Sequence, residues 1–424
     1  MALELVDRIR NGKMDETISR VYPGKEICQV RRRLAGICQG YEKLFGITGE
    51  LHGFSVPGRT ELGGNHTDHQ HGCVLAAGVD LDSAAAAAPN GEDTIRLFSE
   101  GYGMLEVDIR EIQPRREEQN TTAALIRGVV AYLREQGHQI GGFHAYVSSE
   151  VLPGSGLSSS ASFEVLIGII CSGLFAKGQL SPALLAQAGQ YAENRYFGKP
   201  CGLMDQMACA MGGVIFLDFT DSQNPYTRKI PFDLRQAGYD LCILDCGAGH
   251  EGLTGEYASI VQEMNAVAAC FHKEYLREVD ENKFFSALKQ VRETAGDRAA
   301  LRAIHFFREN RRVPMEAEAL KVGDFHRFLS LVGESGRSSY MYLQNIVPRG
   351  AVEHQEMGIA LALCEELLCG KGAFRVHGGG FAGTVQAFVP HSMLSHFRQS
   401  AEEVLGPGSC LVLSLRHAGA IQLW

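Results

Sequence analysis

The sequence is poor in the features that mark several large classes of protein. Its 12 cysteines include no CxxC pair, so neither a zinc knuckle nor a disulfide framework is suggested, and a reducing cytosol is the simplest home. Basic charge is in deficit, 40 Lys and Arg against 49 Asp and Glu for a net −9, which argues against a general nucleic-acid binder. The only run of three basic residues, "RRR" at 31–33, falls in a predicted N-terminal helix and reads as a solvated face. The start, "MALELVDRIRNGKMDE", lacks the apolar core of a signal peptide. The most apolar window, "VLIGIICSGLFA" at 165–176, falls short of the ~20 residues that cross a bilayer, so no membrane partner is expected. Repeats and low-complexity linkers are missing as well.

What is present fits an ordinary globular chain. With 424 residues, 45% hydrophobic and 21% charged, there is material for two domains. "GFHAYVSSEV" (142–151) alternates as a strand does, and "LSSSASFEVLIGIICSGLFA" beyond it carries a helical period. "SPALLAQAGQYAENRYFG" (181–198) opens with a Ser N-cap and Pro at the first helical position. "SAAAAAPNGED" (83–93) ends in a turn signal at Pro89-Asn90-Gly91. "GGVIFLDF" (212–219), "YDLCILDC", "GTVQAFVP" and "CLVLSLR" read as strands. Helices are expected between about 251 and 369, and polar, Pro-containing sequence near 225–235 suggests a division into domains 1–225 and 226–424. The expected class is α+β.

"LPGSGLSSSAS" (152–162) is the most informative stretch by local physics. Glycines let the backbone approach a ligand, and the serines open a helix whose first amides lack internal partners. That combination suits an anion, above all phosphate, although a Ser-capped turn alone would read the same way. It is not a GxxxxGK[ST] loop, because each Gly-Lys pair is followed by something other than Ser or Thr. It is not the dinucleotide fingerprint either, since Ser159 stands at the third glycine. A second dense stretch, "GRTELGGNHTDHQHG" (58–72), holds His66, Asp68, His69 and His71. A metal would need three rings to converge, yet in an extended segment His66 points away from His69 and His71.

Together these stretches resemble the galactokinase branch of the GHMP small-molecule kinases. "PGRTELGGNHTDHQHG" (57–72) is similar to the family's sugar signature, "LPGSGLSSSAS" to its ATP loop, and "HGGGFAGTVQAFV" (377–389) to its Gly-rich third motif. "PCGLMDQMACAMGG" (200–213) resembles the segment that presents the catalytic aspartate, and "GHEGLTGEY" (249–257) adds to the match. Any one motif is weak, and the ordered set, over roughly residues 45–424, is specific. The resemblance implies a two-domain fold with ATP and a monosaccharide in the cleft. The implied reaction is transfer of the γ-phosphoryl of ATP to the anomeric hydroxyl, with Mg2+ as cofactor.

By that resemblance Asp205 is the base or the aligning acceptor for the sugar hydroxyl, a choice left open, and Arg59 orients it and neutralises developing charge. Asn65, His66, Asp68, Gly202 and Tyr257 fall to the sugar. Gly154, Ser155, Gly156, Leu157, Ser158, Ser159, Ser160, Gly379 and Gly380 fall to the nucleotide, and Ser159 with Glu193 to Mg2+. His69 and His71 receive no role. Taken singly, Tyr257 would pass as a core or interface aromatic, and the others as surface charges, caps or turn residues. A monomer is expected, with a homodimer as the alternative.

The departures from the family pattern gather on the sugar side. Asn65 replaces a glutamate, Asp245 stands where Asn is common, "ESGRSSYMYLQN" (334–345) replaces a different stretch, and Ala382 replaces a glycine. Galactose is the first expectation. A galacturonate or another C6-modified or pentose sugar is the second, because an amide at 65 removes the repulsion a carboxylate would offer a 6-carboxylate. A sugar sensor without turnover is the alternative of a different class.

Overall fold

The computed structural model describes residues 2–46, 49–151, 154, 156–222, 224–247, 253–381 and 383–424. Ser155, Ala382 and the start of the 249–257 segment lie outside the described residues. The strands are β1 His52–Gly63, β2 Cys73–Pro89, β3 Thr94–Ser99, β4 Gly103–Asp108, β5 Phe143–Ser149, β6 Val214–Asp218, β7 Tyr226–Ile230, β8 Tyr239–Asp245, β9 Ala373–His377, β10 Thr384–Pro390, β11 Cys410–Leu413 and β12 Ile421–Gln422. One sheet has eight strands in the order β12-β1-β2-β5-β3-β4, with β6 pairing both β2 and β7. The other has four, in the order β11-β8-β10-β9. All pairings are antiparallel except that of β3 with β5.

The alanine run shows how context settles an element. Alanine favours helices, yet 84–88 is the middle of the sheet, because β2 is covered on both faces. Ala85 and Ala87 pack with Val165, Ile169 and Val129 of the helices Ser159–Phe175 and Thr122–Glu135. Ala84, Ala86 and Ala88 face the other way, onto Leu34 and Ile37 of the helix Ile27–Phe45. Small side chains at every position let both layers approach the strand closely. The turn predicted at 89–91 follows, with Gly91 at φ 73°.

The second half docks on the first through a shared core. Leu62, Leu75 and Val214 of the large sheet meet Leu241, Ile243 and Phe388 of the small one, together with Val313 and Phe328 from the helices Asp297–Lys321 and Phe325–Ser338. Buried polar bonds cross the same junction. Gln386 donates to Thr60 Oγ1 at 2.7 Å and to the Glu61 carbonyl at 3.0 Å, His377 Nε2 lies 3.0 Å from Thr60 Oγ1, and Arg375 pairs with Glu61. The large sheet takes in β7, beyond residue 225, and the chain returns to it in β12.

One expectation is corrected here. The basic run lies in the predicted helix, but it is not a solvated face. Arg31 pairs with Asp15, and Arg33, with 17% of its side chain exposed, reaches inward to the fully buried Asp82. Tyr22 at 2.7 Å, Ser55 and Arg416 complete the shell around that carboxylate. Only Arg32 of the three is exposed.

Candidate active site

Arg59 owes its position to a break in the β1–β2 ladder, where the register shifts between Pro57 and Arg59. The Arg59 amide donates to the Leu157 carbonyl at 3.1 Å, which lays the strand against the glycine–serine loop. The guanidinium then makes two parallel bonds to Asp205, 2.7 Å from Nε to Oδ1 and 3.0 Å from Nη2 to Oδ2, and a third to the Gly156 carbonyl at 2.6 Å. Ser158 closes the ring by donating to Asp205 Oδ2. Four residues from three distant segments thus share one hydrogen-bonded circuit.

Asp205 sits in the first turn of the helix Met204–Met211, where the free amide end favours a negative charge. Burial works to raise its carboxyl, but the charge of Arg59 and the bonds from Arg59 and Ser158 outweigh it and hold the group below the usual aspartate range. Arg59 is 8% exposed and Asp205 33%. The carboxylate is therefore gripped from behind and open in front.

The loop itself turns on left-handed backbone at Gly154 (φ 80°), Gly156 (φ 72°) and Ser158 (φ 58°). At Gly156 a Cβ would stand 2.5 Å from Thr384 Oγ1 and 2.9 Å from His377 Nδ1, so glycine is required by space as well as by φ. Leu157 is fully buried and pins the loop to the shared core. Ser159 and Ser160 begin the following helix, which leaves their amides free of intrahelical partners.

Glu193 lies where the helix Pro182–Ala192 widens into a π turn, Glu193–Phe197, a distortion common at functional sites. Ser160 Oγ donates to its Oε1 at 3.3 Å, Lys199 Nζ lies 3.4 Å from the same oxygen, and Gln206 donates to Oε2 at 3.1 Å. The hydroxyl found beside Glu193 is thus that of Ser160. Gln206 also donates to the buried Glu164 at 3.0 Å. Burial first, and then the charge of Glu193, keep the Glu164 carboxyl well above the ordinary range.

On the sugar-signature side, His66 adopts φ 57° and donates from Nε2 to the Gly379 carbonyl at 2.9 Å, while its buried Nδ1 has no partner. Burial, then the neighbouring His69, push the His66 ring down to about 3, so it is neutral and its Nδ1 is an acceptor. Asp68 lies against Gly202, where any Cβ would collide with its Oδ2. Tyr257 donates to the Gly380 carbonyl at 2.8 Å and meets Phe381 edge-on. The carbonyls of 378–380 therefore serve the signature segment and Tyr257. Asp245 is exposed and accepts from the Gly247 amide at 2.9 Å. His71 stacks on Tyr275 at 3.8 Å. Among the described residues no group of three or more His, Cys, Asp and Glu is placed to hold a metal ion, so the dense histidine stretch does not gather as a metal centre.

Asn65 is corrected. It is fully buried, and the protein already uses both ends of its amide. Nδ2 donates to Glu61 at 3.1 Å and to the Gly378 carbonyl at 2.7 Å, while Oδ1 accepts from Asn345 at 2.9 Å and from Ser339 at 3.3 Å. Its main-chain carbonyl accepts from His305, whose other nitrogen meets Ser338 at 2.9 Å. Two of the departures from the family pattern, Asn65 and the 334–345 stretch, are thus one contact.

Sequence reasoning passed over four residues here. Gln206 follows Asp205 directly, Lys199 precedes the PCG segment, His377 opens the third motif and Glu164 closes SSSASFE. Only the first had a usable signal, since an amide beside a candidate catalytic carboxylate is a ready bridge.

Comparison with known proteins gives the family. The GHMP kinases N terminal domain matches residues 124–213, and the galactokinase galactose-binding signature matches residues 39–89. The fold is similar to that of Lactococcus lactis galactokinase solved with galactose, at a TM-score of 0.79 and 24% identity over 92% of this chain and 99% of that one. A galactokinase of Mannheimia succiniciproducens is 31% identical, covering 85% of this chain and 90% of its own. One of Glaesserella parasuis serovar 5 is 30% identical over 86% of this chain and 91% of its own length. With likeness of that extent running through signature, loop and aspartate segment alike, the chain belongs to the galactokinase family of sugar kinases.

Proposed function

We propose that the protein is a galactokinase, transferring the γ-phosphoryl of ATP to the anomeric hydroxyl of galactose. The observation that carries this is the circuit of Arg59, Asp205, Ser158 and Gly156, which joins the sugar signature to the phosphate loop through one carboxylate. In this reading the galactose O1–H donates to Asp205. The O1–P bond forms as the γ-phosphorus parts from the bridging oxygen, ADP leaves, and the O1 proton passes to Asp205. A carboxyl held low is a weak base, so its first task is alignment, with the proton moving late. Arg59 keeps Asp205 charged and aimed.

His66 Nδ1, Asp68, the Gly202 backbone and Tyr257 make up the sugar pocket. Residues 154–160 and the amide side of Gly379 and Gly380 take the nucleotide. The donor set at Glu193, a carboxylate with the Ser159 or Ser160 hydroxyl, suits Mg2+, which needs few protein ligands beside phosphate and water. When bound, such an ion neutralises phosphate charge. Glu193→Gln is expected to raise the Mg2+ needed for half-maximal rate, and an unchanged Mg2+ dependence would remove the ligand role.

Galactose is preferred over galacturonate because the donors of Asn65, the residue that favoured a 6-carboxylate, are engaged by Glu61 and Gly378. A coupled ADP-release assay over galactose, galacturonate and pentoses tests the reading. Fast turnover with galactose supports it. Galactose binding without ADP release from any sugar would make the protein a sensor instead.

A further inference from the structure

Lys199 is placed by the residue it serves. Its amide donates to the Glu193 carbonyl at 3.1 Å as the π turn ends, and its Nζ lies 3.4 Å from Glu193 Oε1. With Oε2 committed to Gln206, Oε1 is the oxygen that faces the loop, and Ser160 meets it there. Glu193 is 5% exposed and the Lys199 side chain 64%, so the ammonium covers a buried carboxylate from the solvent side. An ammonium and a divalent ion repel each other and so compete for one oxygen.

We infer that Lys199 is a displaceable counter-ion, which neutralises Glu193 until Mg2+ takes Oε1 and which then turns to the polyphosphate of the arriving nucleotide. This rests on the reading of Glu193 as a ligand of the ion. Four methylenes and an open position give the side chain the reach to swing, and a point charge suits a phosphate oxygen. The same cation therefore opposes the metal and favours the anion, and the two effects separate by experiment.

Lys199→Met keeps the stem and removes the charge, while Lys199→Arg keeps a charge. Two quantities are measured for each: ATP affinity by calorimetry in EDTA, and the Mg2+ concentration giving half-maximal rate. A partly exposed pair is worth up to about fivefold in an equilibrium constant. Lys199→Met leaves the Glu193 carboxylate uncompensated beside the incoming phosphates, so Mg2+-free ATP binding is expected to weaken by about two- to fivefold. With no ammonium to displace, the Mg2+ requirement is expected to fall by a similar factor, with Lys199→Arg near wild type in both. If Lys199→Met leaves either quantity unchanged, or raises the Mg2+ requirement, the inference is overturned. Glu193→Gln, run alongside, separates the two ideas. A Mg2+ requirement that rises with Glu193→Gln but ignores Lys199→Met removes the counter-ion role alone, whereas one that ignores Glu193→Gln removes the ligand reading and the inference with it.

Discussion

At Asp205 a single charge holds the circuit together, since Arg59 and Ser158 both donate to it. Asp205→Asn keeps the shape, removes the charge and introduces N–H groups that face donors. Sugar and ATP binding should survive, while kcat should fall by about 10²–10⁴. A kcat near wild type would show that the group is not catalytic. Asn65 calls for the opposite expectation. Asn65→Glu would press a second carboxylate onto Glu61, in a site with no exposure. Leaving a buried charge uncompensated costs about 3–5 kcal/mol, so thermal unfolding should shift strongly downward. A variant with an unchanged melting temperature and a new preference between galactose and galacturonate would show that the side chain meets the sugar after all.

Elements place these side chains, and two substitutions probe how. Gly156→Ala puts a Cβ at φ 72° and against Thr384 and His377, so the loop must move away from the small sheet. ATP affinity should drop at least tenfold, a loss read by nucleotide titration, with little change for galactose. The second concerns Glu316, on the helix Asp297–Lys321, which is fully buried with neither carboxylate oxygen hydrogen-bonded. Burial, then the charge of Glu309, push its carboxyl from 4.5 up to about 8. A raised acid binds its proton more tightly when folded, so it weakens the fold progressively as pH rises from the unfolded value towards the folded one. Glu316→Gln should therefore gain melting temperature over wild type at pH 8 and gain little at pH 5, and an equal gain at both would refute the titration. The same elements show what was legible in the sequence. Periodicity and caps disclosed the helix Pro182–Ala192 with its Ser181 cap, because those rules are local. The motif order disclosed Arg59, Asp205 and the loop together. The partners of Asn65, Asn345 and Gly378, were not legible, because they lie some 280 and 313 positions away and no local signal reports a contact at that range. Glu164 stayed hidden for the same reason, 42 positions from the Gln206 that donates to it.

Across the whole molecule, Asp82 ties the N-terminal helices, β1 and the returning chain at one buried carboxylate. Burial alone would raise this group, but Arg33 and Arg416 lead the opposing charges and hold it down to about 2 from 3.8. Its stabilisation is complete above the unfolded value and drains away as pH falls towards 2, about 2 kcal/mol in all. Asp82→Asn should accordingly unfold more readily at pH 7, with the gap to wild type closing in acid, and a constant gap would count against the ion pairs. Arg416 and β12 come from the far end of the numbering, yet β12 lies beside β1, the strand that carries Arg59. A ribosome delivers the chain in the other order. Until β12 has been made, the edge of β1 at Phe54 and Ser55 offers open amides and carbonyls, the kind of edge that recruits stray strands. The sheet that bears the candidate catalytic arginine is thus begun long before it is sealed, and the nascent chain carries that seam unsewn until β12 arrives.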